Sequence, residues 1–81
     1  MTQFRYKFRP KGDIILLDVS PMPDWQEFGD FVQEFLSEQG ARLIEQDMGM
    51  DRHQVRYRLG QKQYVLQFEH YCESIWIEED Y

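Results

Sequence analysis

The chain has 81 residues, enough for one hydrophobic core, and we predict that residues 1–81 form a single domain. Fifteen acidic and nine basic residues give a formal net charge of −6, which argues against nucleic acid as a partner because phosphates are repelled. The single cysteine, Cys72, excludes an intramolecular disulfide and favours a reducing compartment, so we expect a cytoplasmic protein. No stretch approaches the roughly 20 apolar residues of a membrane span, and we expect no membrane partner.

The N-terminal region predicts a β-hairpin. Residues 4–9 alternate aromatic with basic side chains, the period of a half-buried strand. Residues 10–12, Pro-Lys-Gly, have the composition of a turn. Residues 13–19 follow with a continuous apolar centre, which is typical of a strand covered on both faces or lying in the middle of a sheet.

Residues 24–40, DWQEFGDFVQEFLSEQG, predict the one clear helix. Apolar residues recur there at intervals of three and four and so share one stripe: Trp25, Phe28, Phe31, Val32, Phe35 and Leu36. Asp24 and Glu27 have the spacing of a capping box at the start. Gly40 supplies the left-handed residue that commonly ends a helix.

Four further strands are predicted after the helix, at residues 41–48, 53–59, 63–69 and 74–78, with a tight turn at residues 60–62. The order is therefore β-β-α-β-β-β-β. We predict a two-layer α+β fold, in which one helix packs on a five- to six-stranded, mostly antiparallel sheet. The expected core is Trp25, Phe28, Phe35, Tyr57, Leu66, Phe68 and Ile75. The tail at residues 79–81 is expected to be loose.

The helix sequence DWQEFGDFVQEFLSEQG, followed by the strand sequences YVLQFEHY and SIWIEED, resembles small uncharacterised proteins of gammaproteobacteria known only as domains of unknown function. The resemblance lies in overall length and in the order of the elements. It implies a bacterial cytosolic protein and carries over no site residues.

The helix carries an acidic stripe away from its apolar one: Glu27, Asp30, Glu34 and Glu38. One interpretation is a solvated face, or a face paired with Arg5, Lys7 or Arg9 from elsewhere in the fold. The other is a docking stripe for a basic protein partner. The two interpretations stay open at this point.

A second candidate surface is the sheet face away from the helix. Arg56, Arg58, Val65, Gln67 and Trp76 should point there. A Trp beside two Arg side chains is enriched at protein interfaces, so Arg56, Arg58 and Trp76 are candidate partner-binding residues. The alternative is an ordinary wet face on which Trp76 lies over Arg stems. A homodimer through this face is a further hypothesis.

His70, Cys72 and Glu73 lie close together in one predicted loop. Zinc needs three or four ligands, and a nucleophilic Cys needs a base and an oxyanion donor, which nothing else in the chain supplies. We therefore expect a structural Cys, a surface His, no metal and no cofactor. The chain also lacks a phosphate-binding loop and any metal-binding signature.

The leading hypothesis is a non-enzymatic protein-interaction module: an adaptor, an inhibitor or a regulatory subunit. One alternative is a small-ligand or catalytic domain with a pocket between helix and sheet, and with His70, Cys72 or Glu73 at its mouth. A second alternative is a nucleic-acid binder that uses the cations of the strands, namely Arg5, Lys7, Arg9, Arg56 and Arg58.

Overall fold

A computed structural model describes residues 3–80, and these form six strands and one helix in the predicted order. The strands are β1 (Arg5–Lys11), β2 (Ile14–Ser20), β3 (Arg42–Met48), β4 (Arg52–Leu59), β5 (Lys62–Glu69) and β6 (Ser74–Glu79), and the helix is α1 (Phe28–Gln39). All neighbouring strands are antiparallel. The predicted α+β class with an antiparallel sheet is therefore confirmed.

The six strands form a single sheet in the order β1-β2-β6-β5-β4-β3. The predicted hairpin, β1–β2, and the predicted meander, β3 to β6, are both present. They join because β2 pairs with β6, where Leu17 lies opposite Ile75. This arrangement leaves β1 and β3 as the two edges of the sheet.

The core lies between α1 and one sheet face. Phe28, Phe31 and Phe35 of the helix are almost fully buried. They meet the inward-facing strand residues, as in the contact of Phe28 with Phe68, whose ring centroids are 4.9 Å apart. Six of the seven predicted core residues are buried; Trp25 is not.

The helix begins later than the sequence predicts, at Phe28 and not at Asp24. Asp24 and Glu27 do exchange the predicted hydrogen bonds: the Glu27 N–H donates to Asp24 at 2.8 Å, and the Asp24 N–H donates to Glu27 at 3.2 Å. These bonds stabilise a turn ahead of the helix, and Trp25 in that turn remains 37% exposed. At the other end Gly40 is left-handed, with φ 68°, as predicted.

Two predicted loops are wrong in detail. Pro10 and Lys11 belong to β1, and the hairpin turns at residues 12–13, because an edge strand tolerates Pro where its missing N–H would face outward. The C-terminal tail is also held: Glu79 ends β6, and the Asp80 N–H donates to the Gln63 carbonyl at 2.9 Å. Tyr81, the last residue of the predicted tail, lies outside the described residues, as do residues 1 and 2 of the predicted domain.

Candidate functional site

Strand β3 is the exposed edge of the sheet. All seven of its residues are exposed to solvent, although β4 beside it buries alternate side chains. Leu43, Ile44 and Met48 leave 48%, 45% and 62% of their surface accessible. A helix is about 10–12 Å wide, and six strands spaced by about 4.8 Å form a wider sheet, so one helix cannot cover every strand.

The backbone of β3 also has an open side. The Gly49 N–H donates to the Arg52 carbonyl at 2.8 Å in the turn that joins β3 to β4. Hydrogen-bonded and non-bonded pairs alternate along an antiparallel ladder. Asp47 therefore bonds to β4, whereas the N–H and C=O groups of Gln46 and Met48 face away from the sheet. A β-bulge interrupts the pairing nearer the start of the strand, between Leu43 and Glu45.

A groove of about 330 Å³ lies between the start of α1 and strands β3 and β4. We call it the β3 groove. Its lining residues are Trp25, Phe28, Gly29, Met48, His53 and Val55, together with the three amide side chains of Gln26, Gln46 and Gln54. No Asp, Glu, Lys or Arg among the described residues lines it. It is thus an apolar recess directly beside the open backbone of β3.

Two imidazole rings lie beside Trp25, and the one that lines the β3 groove is His53. His53 Nδ1 and His70 Nε2 are 2.6 Å apart, so one ring donates an N–H and the other accepts it. The Trp25 ring packs on both, with centroid distances of 4.2 Å to His53 and 4.4 Å to His70. His53 is buried, yet Trp25 leaves 37% of its surface open to the groove side and solvent.

Both imidazoles favour the neutral form. Burial lowers the pKa of His53, and neighbouring His70 lowers it further. Burial also lowers the pKa of His70, while the carboxylates of Asp51 and Asp24 act in the opposite direction. A shared hydrogen bond needs one unprotonated ring nitrogen, so protonation of both rings would break the pair.

Gly29 stands in the helix with no structural need for glycine. A Cβ built on it meets nothing within 4 Å, and its backbone has no positive φ. Glycine in a helix costs roughly 0.5–1 kcal/mol relative to alanine. The missing side chain widens the β3 groove at this point.

The acidic stripe of the helix does not act as one surface. Glu34 accepts the backbone N–H groups of Gln3 at 2.8 Å and Phe4 at 3.2 Å, and so holds the segment before β1. Glu27 belongs to the turn with Asp24. Asp30 and Glu38 are exposed. The pairing with Arg5, Lys7 or Arg9 is wrong, because the ion pairs found among residues 3–80 include none from α1.

The sheet face opposite the helix carries Arg56, Arg58 and Trp76, as the register requires. Its polar groups bond to one another. Arg56 pairs with Glu45 at 3.1 Å, and Arg58 donates to a turn carbonyl. The Trp76 N–H donates to Glu78 at 3.2 Å, so the indole is held by a carboxylate and not by an Arg stem. Val65 and Gln67 of this face are buried, and Gln67 donates to Glu78.

The loop at residues 70–73 does not assemble the predicted trio. His70 turns inward to His53, whereas Cys72 is exposed. His70 is half-buried, so it is only in part the surface side chain that the sequence predicts. Within residues 3–80, no group of three or more His, Cys, Asp or Glu side chains is arranged to hold a metal ion.

Sequence reasoning missed the β3 groove and the His53–His70 pair. One signal is present in the sequence: the period of two along the predicted strand 53–59 places His53 on the same face as Val55 and Tyr57. The partner ring could not be found this way, because it follows from the register that sets His53 opposite Phe68.

The chain belongs to a family of proteins of unknown function, DUF3630, whose model matches residues 6–81. Comparison with curated proteins and with solved structures gives no match. Among the described residues, the single helix is neither long nor apolar enough to cross a membrane.

Proposed function

We propose that this member of the DUF3630 family is a non-enzymatic protein-interaction module, and that its partner binds as an extended segment added to β3. The observation that carries the proposal is the combination at one edge: outward backbone groups on Gln46 and Met48 beside an apolar groove. Strand addition works in this way, with main-chain bonds giving affinity and pockets for alternate side chains giving specificity.

The proposed module is a two-layer, cytosolic, bacterial protein. The single exposed Cys72 fits a reducing compartment. The far sheet face supports docking less well, because Arg56 and Trp76 are already bonded to carboxylates. Nucleic-acid binding is supported still less: three strands separate β1 from β4, so their cations form no continuous patch.

A small-ligand protein is the second candidate, and the volume of the β3 groove favours it. About 330 Å³ is within the usual range for ligand sites. Cys72 does not line this groove, so its thiol is not placed to act on a ligand there.

The test is a selection from a phage-displayed library of random peptides on the immobilised protein. Gln46→Pro removes one outward N–H of β3, and Gln46→Ala removes the same side chain but keeps that N–H. We expect the selected peptides to bind the wild type and Gln46→Ala, and to lose at least about tenfold in affinity on Gln46→Pro.

Both variants must show cooperative unfolding, which an outward position on an edge strand permits. Peptides that bind Gln46→Pro as tightly as Gln46→Ala would overturn strand addition. A selection that enriches no peptide would overturn it as well.

A further inference from the structure

We propose that the β3 groove is an acceptor site for one aromatic side chain, carried by an extended segment of another protein with basic residues beside the aromatic one. This inference rests on the proposed strand addition at β3. It adds what the segment must contain, and it can fail while strand addition stands.

The shape and lining of the groove favour an aromatic ring. A dry cavity of roughly 150 Å³ suffices to bind benzene, and the β3 groove offers about 330 Å³. Trp25 packs on the two imidazoles and is still 37% exposed, so it can stack on a further ring. The thioether of Met48 lies at the opposite rim and makes favourable contacts with aromatic edges.

Gly29 is a second and independent observation. The fold gains nothing from glycine there, since a Cβ would meet only open space. A side chain at this position would enter the groove. Because position 29 is Gly and not Ala, the β3 groove keeps space that a side chain of another molecule can occupy.

The charge around the β3 groove determines which residues can flank the aromatic residue of the bound segment. The lining carries no formal charge, but Asp24, Asp30 and Asp47 directly adjoin the lining residues Trp25, Gly29 and Met48 in the sequence. The neighbouring cations Arg52 and Arg56 are paired with Glu69 and Glu45. The whole chain has a net charge of −6. A segment with Lys or Arg next to its aromatic residue is attracted to this rim, whereas an acidic segment is repelled.

A second copy of the chain fits less well than a different protein. The apolar residues of β3 are Leu43, Ile44 and Met48, so pairing two β3 strands would bring no aromatic ring from β3 into either groove. Two copies would also bring together two acidic bodies. An extended segment of another protein meets both requirements if its aromatic residue fills the groove and its basic residues lie at the rim.

The experiment compares three proteins with one pair of synthetic peptides. The first peptide is the tightest one selected from the random library, and the second has its aromatic residue replaced by Ala. The proteins are the wild type, Gly29→Leu, which fills the groove, and Ser37→Leu, which adds the same side chain to an exposed position of the same helix.

We expect selected peptides to share one aromatic position with Lys or Arg nearby. Loss of the aromatic ring should weaken binding by about tenfold or more on the wild type and on Ser37→Leu, and by much less on Gly29→Leu. Gly29→Leu should also bind the parent peptide about tenfold more weakly than Ser37→Leu does.

An equal loss on Gly29→Leu and on the wild type would overturn the aromatic site, and so would selected peptides without a shared aromatic position. Peptides without basic residues would overturn the part that rests on charge. If Gln46→Pro abolishes binding in either case, strand addition stands. If peptides bind independently of Gln46, the proposed function itself fails.

Discussion

The two edges of the sheet differ in how far the rest of the chain protects them. Six of the seven β1 residues are exposed too, but this edge carries Pro10 and basic side chains, and its half-buried Tyr6 packs on Phe35 with ring centroids 5.3 Å apart. The β3 edge has no Pro and all its side chains are exposed, although it carries the charged residues Arg42, Glu45 and Asp47 and a β-bulge. Pro, charge and cover are the usual means by which an edge avoids further pairing.

The contacts of the helix differ between the two edges. Glu34 and Phe35 hold α1 to the segment before β1 and to Tyr6, whereas on the other side Phe35 packs on Tyr57 of β4. The side of the helix that faces β3 offers Gly29 at the groove. The β1 edge therefore contributes to the stability of the fold, whereas the β3 edge stays open to a partner.

The largest expected loss of stability on the β1 side is that of Phe35→Ala. Phe35 is 1% exposed and contacts Tyr6 and Tyr57, so its removal leaves a cavity at the centre of the core. We expect the free energy of unfolding to fall by about 3–5 kcal/mol. The matched change on the open edge, Leu43→Ala, should cost less than about 1 kcal/mol.

Urea denaturation of the two variants measures both values. Similar losses for Phe35→Ala and Leu43→Ala would mean that α1 covers the two edges equally.

Glu34→Ala tests the contact that fixes the helix to the start of the chain. It removes a charged acceptor from two backbone N–H groups, those of Gln3 and Phe4, and should cost about 1–2 kcal/mol. Asp30→Ala, on the same helix face, should change stability by less than about 0.5 kcal/mol. Thermal and urea unfolding compare them; an equal effect would place Glu34 on a merely solvated face.

Acid should destabilise the β3 side through His53 and His70. Burial lowers both pKa values in the folded protein, so the unfolded chain binds more protons once the pH falls below about 6.5. The free energy of unfolding should therefore be constant above this pH and decrease between about pH 6.5 and pH 5, before most carboxylates titrate.

His70→Gln is the control, since it removes one titrating ring but keeps a group that can donate to His53. Its unfolding free energy should fall less steeply over the same pH range. The same slope in wild type and variant would show that the histidine pair does not couple to folding.

The smallest expected effect is on stability at Gly29. Gly29→Ala should raise the free energy of unfolding, by no more than about 1 kcal/mol, because alanine favours the helix and its Cβ meets no atom. Ser37→Ala on the exposed side of α1 is the matched control. A loss of stability in Gly29→Ala would mean that the groove is closed in solution.

Most of the fold could be predicted from the sequence because it follows local rules. The alternation of apolar and polar residues predicted the strands, and Gly40 predicted the end of the helix. The predicted start of α1 is wrong because the hydrogen bonds between Asp24 and Glu27 lie in a turn that precedes the helix. The spacing of apolar residues alone cannot reveal this turn, and for that reason it predicts Trp25 to lie in the core.

The candidate site was harder to predict because it depends on packing between distant segments. His53 and His70 are 17 residues apart, and the pairing of β4 with β5 brings them together. The β3 groove exists because the single helix leaves β3 uncovered. How far one helix reaches over a sheet is a property of the assembled core, which no stretch of sequence contains.

Amide hydrogen exchange along β3, measured by NMR without and with the tightest selected peptide, tests the central claim most directly. In the free protein, the amides of Gln46 and Met48 should exchange faster than that of Asp47, which bonds to β4. With peptide bound, both should slow by at least about tenfold as they become paired. If they stay fast while the bound peptide shifts resonances of Arg56, Arg58 or Trp76 on the far face, the partner does not add to β3.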